Sequence, residues 1–330
     1  MRRAILLLSC LAASAALALV LAGLCGSTGC LRLSGASANS ADIAMLLQLR
    51  VPRALTAFTV GALLAMAGAL MQVLLRNPLA EPYVLGVSGG SAAGALLAML
   101  LAASIGLQRQ NVAAVGAVLG AGLAVLLLFG LVGKSLRRLP LSPMAAGHRL
   151  LLTGIMLAAG FGAVITLVLT LAGDTQLRGM VFWLMGDLED SRFLPLAAAI
   201  AGAVLLWSIW NAPRLNLLAR GESFAQLLGV PVVRLRVATL CAASLATAAA
   251  VTLAGTIGFV GLVVPHGLRL LAGNDQRVLL PAAALAGGAG LTLADLAART
   301  IVAPTQLPVG VITALIGVPL FLWLLARSRA

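Results

Sequence analysis

Residues 53–90 read RALTAFTVGALLAMAGALMQVLLRNPLAEPYVLGVSGG. From 54 to 75 the run carries no charge and is long enough for one bilayer-crossing helix, which needs about 20 residues. RNPLAEPYVLGVSGG (76–90) then places Pro78, Pro82, Gly86, Gly89 and Gly90 where a regular helix cannot continue. Broken backbone beside a membrane helix is tolerated only where protein or water satisfies it. The pattern recurs at 236–267, where a small-residue-rich run ends in AGTIGFVGLVVPHG (254–267). The first break leaves a helix running inward, the second a helix running outward. Paired broken segments in halves of opposite orientation predict an inverted-repeat transporter.

Working outward, the chain has 330 residues, of which 62% are hydrophobic and 9% charged. Its mean hydropathy is +1.10. Soluble domains are about a quarter charged, so an ordinary soluble enzyme is excluded. So is disorder, for want of polar content. Continuous Ala-, Leu- and Gly-rich runs without alternation argue against a membrane β-barrel. The fold class is therefore an all-α polytopic membrane protein of about ten transmembrane helices. The spans are expected at 4–25, 54–75, 87–106, 111–133, 150–171, 193–211, 236–256, 257–272, 278–298 and 308–326. They make one domain, 1–330, with repeat halves near 50–171 and 232–330 and a cytoplasmic segment at 212–235. Gly86, Gly90 and Gly94, then Gly116 and Gly120, stand four apart and predict close helix packing.

The net charge is +13. The basic residues are scattered between apolar runs rather than clustered with aromatics, so topology explains them and nucleic acid does not. With both termini inside, Arg32, Arg50, Arg53, Arg109, Arg178, Arg192 and Arg299 lie outside and the remaining 15 of the 22 Lys and Arg lie inside. That bias favours a multi-pass protein of a bacterial inner membrane with cytoplasmic ends. The apolar stretch at the N-terminus exceeds a signal-peptide core and reads as an uncleaved first helix. Cys10 and Cys241 fall inside spans. Cys25 and Cys30 lie near the outer face; they read as small apolar fillers, with pairing left open in an oxidising compartment.

Catalytic chemistry finds little support. Gly86-Val87-Ser88-Gly89-Gly90 matches the G-x-S-x-G nucleophile pattern. A serine nucleophile needs a base within reach, and the chain has only His148 and His266. An intramembrane serine protease is a remote alternative, and a small-residue turn is the plainer reading. No metal-ligand spacing and no P-loop occur, so no metal or cofactor is expected. Spans one to seven carry essentially no acids, which argues against a self-powered secondary carrier. The energy is expected from another subunit.

Three groups remain as candidate sites. In GESFAQLLGV (221–230), Phe224, Leu227 and Leu228 share one helical face and Glu222 and Gln226 the other. This reads as a docking helix for a partner, with a helix lying in the lipid headgroups as the alternative. Arg50 and Arg53 flank Pro52, and Arg299 ends span nine; they either dock acidic groups of an external partner or snorkel to lipid phosphate. Arg178 sits beside Phe182 and Trp183, either attracting an anionic cargo or pairing with Asp174 or Asp187.

RNPLAEPYVLGVSGGSAAGA (76–95) resembles the FecCD-type permease subunits of ABC importers for iron–siderophore complexes, haem and vitamin B12. LRVPRALTAFTVGALLAMAGALMQ (49–72), FWLMGDL (182–188), GESFAQLLGV, GTIGFVGLVVPHGLRLLAG (255–273), LADLAAR (293–299) and LPVGVITALIGVPLFLWLL (307–325) match too, in family order. The resemblance implies ten helices per subunit, a homodimer or pseudo-dimer around a central pathway, an ABC ATPase dimer below and a periplasmic binding protein above. Gly221, Glu222, Ser223, Phe224, Ala225, Leu228 and Gly229 then match the ATPase-coupling element. Arg50, Arg53 and Arg299 match arginines that meet glutamates of the binding protein. Arg178, in QLRGMVFW, is similar to haem-importing members. Asp187 departs from the family, where many members carry Ser, and the acids Asp187, Glu189 and Asp190 form an unusual cluster. The chain is expected to be a non-enzymatic pore subunit for a metal chelate, a ferric siderophore or haem, with cobalamin as the alternative.

Overall fold

The structure is a computed structural model and describes residues 2–30, 40–104, 109–137 and 143–327. Arg32, Arg138 and Arg329, which enter the charge bias, lie outside the described residues, as does the side chain of His148. In chain order the helices are α1 (Arg2–Leu24), α2 (Ser40–Met45), α3 (Val51–Leu74), α4 (Val87–Ser104), α5 (Arg109–Arg137), α6 (Pro143–Leu171) and α7 (Asp174–Leu184). They continue with α8 (Leu194–Arg220), α9 (Glu222–Leu227), α10 (Val232–Ala254), α11 (Val260–Ala272), α12 (Gln276–Thr300) and α13 (Val309–Arg327). Among the described residues eight helices are long and apolar enough to cross a membrane, and two shorter apolar helices, α4 and α11, lie where the third and eighth spans were expected.

Helix α3 lies at the centre, 89% buried over its apolar window, while α1 and α6 are 11% buried and peripheral. Small residues permit this. A methyl at Gly68 would stand 1.7 Å from the Gly261 carbonyl oxygen of α11. The predicted glycine pairs on α4 and α5 also meet: a methyl at Gly94 would stand 2.2 Å from the Gly116 oxygen, and one at Gly120 2.0 Å from the Gly90 oxygen. Lipid offers no hydrophobic gain for helix association, so such backbone contact supplies the dispersion energy instead.

Four features depart from expectation. A short antiparallel hairpin, β1 (Cys25–Gly26) and β2 (Gly29–Cys30), interrupts the all-α class. It is closed by a Cys25–Cys30 disulfide, so these cysteines are not the separate apolar fillers read from sequence. Helix α7 occupies the connection between the fifth and sixth expected spans, where no helix was placed, because DTQLRGMVFWL is too short and polar for a span. Helix α8 continues through Pro213 to Arg220, nine residues past the predicted end at 211, and stops where Gly221 takes φ +139°. The polar connection at 212–235 is thus shorter than expected.

Candidate functional site

The two broken segments meet each other. The Tyr83 hydroxyl donates to the Ile257 carbonyl at 2.7 Å and accepts from the Ile257 N–H at 2.6 Å. The Glu81 carboxylate accepts the Phe259 N–H at 3.0 Å. It thereby holds Phe259 at φ +68°, a left-handed conformation that a bulky residue rarely adopts. From the turn after α7, the Asp187 N–H donates to the Ala254 carbonyl at 2.9 Å, and the Thr256 hydroxyl donates to the Leu184 carbonyl. Polar groups freed where the helices break are therefore met by protein, as a membrane requires.

The Ser88–His266 pairing that the catalytic alternative considered is not formed. Both ring nitrogens of His266 are buried without a hydrogen-bond partner among the described residues. The His266 ring instead packs edge-on to Phe321, centroids 6.3 Å apart. Among the described residues no group of three or more His, Cys, Asp or Glu is placed to hold a metal ion.

At one end of the bundle, the start of α3, the end of α12, the hairpin and the 184–193 connection enclose a cleft of about 640 Å³. Behind its lining Asp295 is fully buried. Arg53 reaches Asp295 Oδ1 through Nη2 at 2.9 Å, and Arg299 reaches Oδ2 through Nε at 3.0 Å. One carboxylate thus serves two guanidiniums from different helices. Arg53 also donates to Gln306 at 3.0 Å and lies 3.5 Å from Glu189, whose side chain is 62% exposed. Arg50 is buried and donates to the hairpin: to the Leu24 carbonyl, to Thr28 Oγ1 at 2.8 Å and to the Gly29 carbonyl at 3.1 Å. On the rim, Arg192 bonds Asp190 at 2.8 Å and holds its carboxyl below the usual range, with burial opposing. The structure places Arg50, Arg53 and Arg299 around one cleft. Protein groups meet the guanidiniums of all three. Arg53 lines the cleft beside the exposed Glu189, and the more exposed Arg192 lines it beside Asp190. Asp295 and Glu189 were not singled out as site residues; the signal was the acid four residues before Arg299 in LADLAAR.

Beside α7, a cavity of about 530 Å³ is lined by Gln176, Met180, Phe182, Trp183, Asp187 and Thr252, among others. Arg178 is exposed and is not among its lining residues. Among the described residues it forms no ion pair with Asp174 or Asp187, so that loop pairing is overturned.

At the opposite end α9 is a single short helix between Gly221 and Gly229, both at positive φ. Glu222 is buried and pairs with Arg236 of α10 at 3.1 Å, and Ala225 is fully buried. These two residues of the coupling set face the protein and anchor the helix. Ser223, Phe224, Leu228 and Gly229 face out, joined by Leu227 at 86% exposed. Nearby, Asp275 caps α12 through the Arg277 N–H at 3.0 Å. The Asn216 amide, donating at 2.8 Å, helps hold the Asp275 carboxyl low.

The model of the FecCD transport family matches residues 4–327. An ABC transporter permease protein of Bacillus subtilis, YvrB, is 42% identical over 294 residues, covering 86% of this chain and 79% of that protein. The vitamin B12 import system permease protein BtuC of Vibrio cholerae is 41% identical over 292 residues, covering 88% and 85%. Among solved structures, an inward-facing metal-chelate type ABC transporter superposes with TM-score 0.82 at 31% identity, covering 96% of this chain and 98% of that one. PsaBC from Streptococcus pneumoniae, at TM-score 0.55 and 16% identity, shares the fold.

Proposed function

Because the chain belongs to the FecCD transport family, we propose that it is the membrane-spanning permease subunit of an ATP-driven importer, carrying a metal chelate handed over by a binding protein outside. The observation that carries this reading is α9: an apolar knob of Phe224, Leu227 and Leu228 turned away from the bundle and fixed from behind by the buried Glu222–Arg236 pair. A lipid-lying helix gains nothing from such an anchor. A helix that must pass motion into the bundle needs one.

In this reading two copies surround a central pathway in a bacterial inner membrane, with both termini cytoplasmic, and residues 50–171 and 232–330 act as inverted halves. An ABC ATPase dimer binds ATP, closes, and moves α9. The Glu222–Arg236 pair carries that movement into α10 and, across the second break, into α11. Hydrolysis itself belongs to the ATPase subunit. At the outer cleft a carboxylate of the binding protein competes with Glu189 for Arg53, while Asp295 keeps the two guanidiniums in place. Arg178, exposed on α7, attracts acidic groups of the cargo.

The likeness to a metal-chelate transporter supports a ferric siderophore or haem as cargo. The relatives named for vitamin B12 import support cobalamin, itself a bulky metal chelate, as the second reading. ATP-dependent uptake in proteoliposomes containing the chain and its ATPase separates them, with haem, a ferric siderophore and cobalamin each presented on a binding protein. One cargo should accumulate, and Phe224→Ser with Leu227→Ser should abolish its uptake. Uptake that persists without any ATPase would overturn the proposal.

A further inference from the structure

We infer that the Cys25–Cys30 hairpin is a positioning device for the outer cleft, and that its disulfide sets how well an acidic partner docks there. The inference rests on the docking reading of that cleft.

Arg50 is the starting point. Its guanidinium is buried, and among the described residues no carboxylate lies within 4 Å of it. All three of its hydrogen-bond acceptors belong to the end of α1 and the hairpin that follows: the Leu24 carbonyl, Thr28 Oγ1 and the Gly29 carbonyl. The face of Gly26 is open to it as well: a methyl there would stand 3.3 Å from Arg50 Cζ. Asp42 acts on Arg50 only at longer range, and a buried charge with no carboxylate in contact is held only while its dipolar partners stay in place. Thr28 and Gly29 belong to a hairpin whose strands have two residues each, with Gly29 at φ +90°. A hairpin this short is not stable on its own. The disulfide joins the paired residues at its base and removes most of the open conformations.

Arg53 and Arg299 already share Asp295. The closed hairpin keeps Arg50 away from that carboxylate and leaves Arg53 facing the cleft. Gly26, Ser27 and Thr28 also form part of the cleft wall. Once the hairpin opens, Arg50 loses Thr28 and Gly29 and turns to the nearby acids. Asp295 then serves three cations, and the cleft loses both its wall and its charge pattern. Cys10 and Cys241 are free thiols, so reduction changes this one bond.

The test has two arms, both on the intact complex in nanodiscs. The first is partner-free: phenylglyoxal labelling of Arg50, read by mass spectrometry. Labelling should be slow in the oxidised protein. It should rise at least severalfold in the Cys25→Ser/Cys30→Ser variant, in reduced wild type and in Thr28→Ala, the last with the disulfide intact. The second arm measures affinity for the binding protein that supports uptake. Affinity should fall on the order of fivefold on reduction, the scale of one partly exposed charge contact. ATPase association through α9 should stay unchanged. Arg50 protected equally in both redox states would overturn the inference, as would equal docking by both. Failure of the oxidised complex to dock any binding protein would sink the docking reading itself, and the inference with it.

Discussion

The two ends of the molecule hold their buried charges by different arithmetic. At the end that carries the hairpin one carboxylate, Asp295, holds two arginines, and a third arginine is hydrogen-bonded by neutral acceptors. At the end that carries α9 one carboxylate, Glu222, faces one arginine, Arg236. The first end therefore spreads one buried carboxylate over two guanidiniums beside a cleft that also holds the exposed Glu189 and Arg192. The second pairs its buried charges one to one behind an apolar tip.

This contrast is broken most severely at Asp295. Asp295→Ala leaves Arg53 and Arg299 without their shared counter-ion, and removing one partner of a buried pair costs about 3–5 kcal/mol. The thermal transition of the purified complex should drop sharply, with Asp295→Asn falling less because it keeps an acceptor. Second in size is the Glu222–Arg236 pair. Glu222→Ala or Arg236→Ala should cost about 3 kcal/mol and loosen α9, read as faster proteolysis at 221–230. Replacing both by apolar residues should recover most of that stability, since no unpaired charge remains. Recovery at Glu222–Arg236 alone would sharpen the comparison. Recovery on pairing Asp295→Ala with only one arginine replacement would break it.

Smaller effects follow from the tips. Phe224→Ser and Leu227→Ser should leave the thermal transition unchanged yet reduce ATPase association about tenfold or more, as loss of an apolar anchor does. Arg53→Ala should weaken binding-protein docking a few-fold and flatten its salt dependence. The smallest effect belongs to the Asp190–Arg192 rim pair. Arg192 lowers the Asp190 pKa, so the stability it contributes is present above about pH 4 and is lost as pH falls through the lowered folded value. Because the pair is solvent-screened, that contribution is small. A pH titration of the thermal transition should show the acid limb move slightly upward in Arg192→Ala.

Much of this was legible before the structure. Span positions, the breaks at 76–90 and 254–267, the close-packing glycines and the outward apolar face of 221–230 all follow from residue type and local spacing. What escaped were features set by contacts distant in sequence. Glu222 and Ala225 share the α9 motif with Phe224 and Leu228, yet only docking against α10 turns the first two inward. Helix α7 was hidden because it is too short to register as a span.

The sequence by itself determined a polytopic helical protein, its family and the ends at which partners are expected. Those follow from hydrophobic run length, charge bias and motif order, which act locally along the chain. Only the tertiary structure decided that Asp295 serves two arginines, that Tyr83 and Glu81 satisfy the opposite break, and that Cys25 and Cys30 close a hairpin around Arg50. Each of the first two joins residues more than 170 positions apart, apart from the Arg299–Asp295 half of the network. Desolvation of a charge or a backbone group is settled by whichever neighbour packing delivers, and one-dimensional spacing does not specify that neighbour.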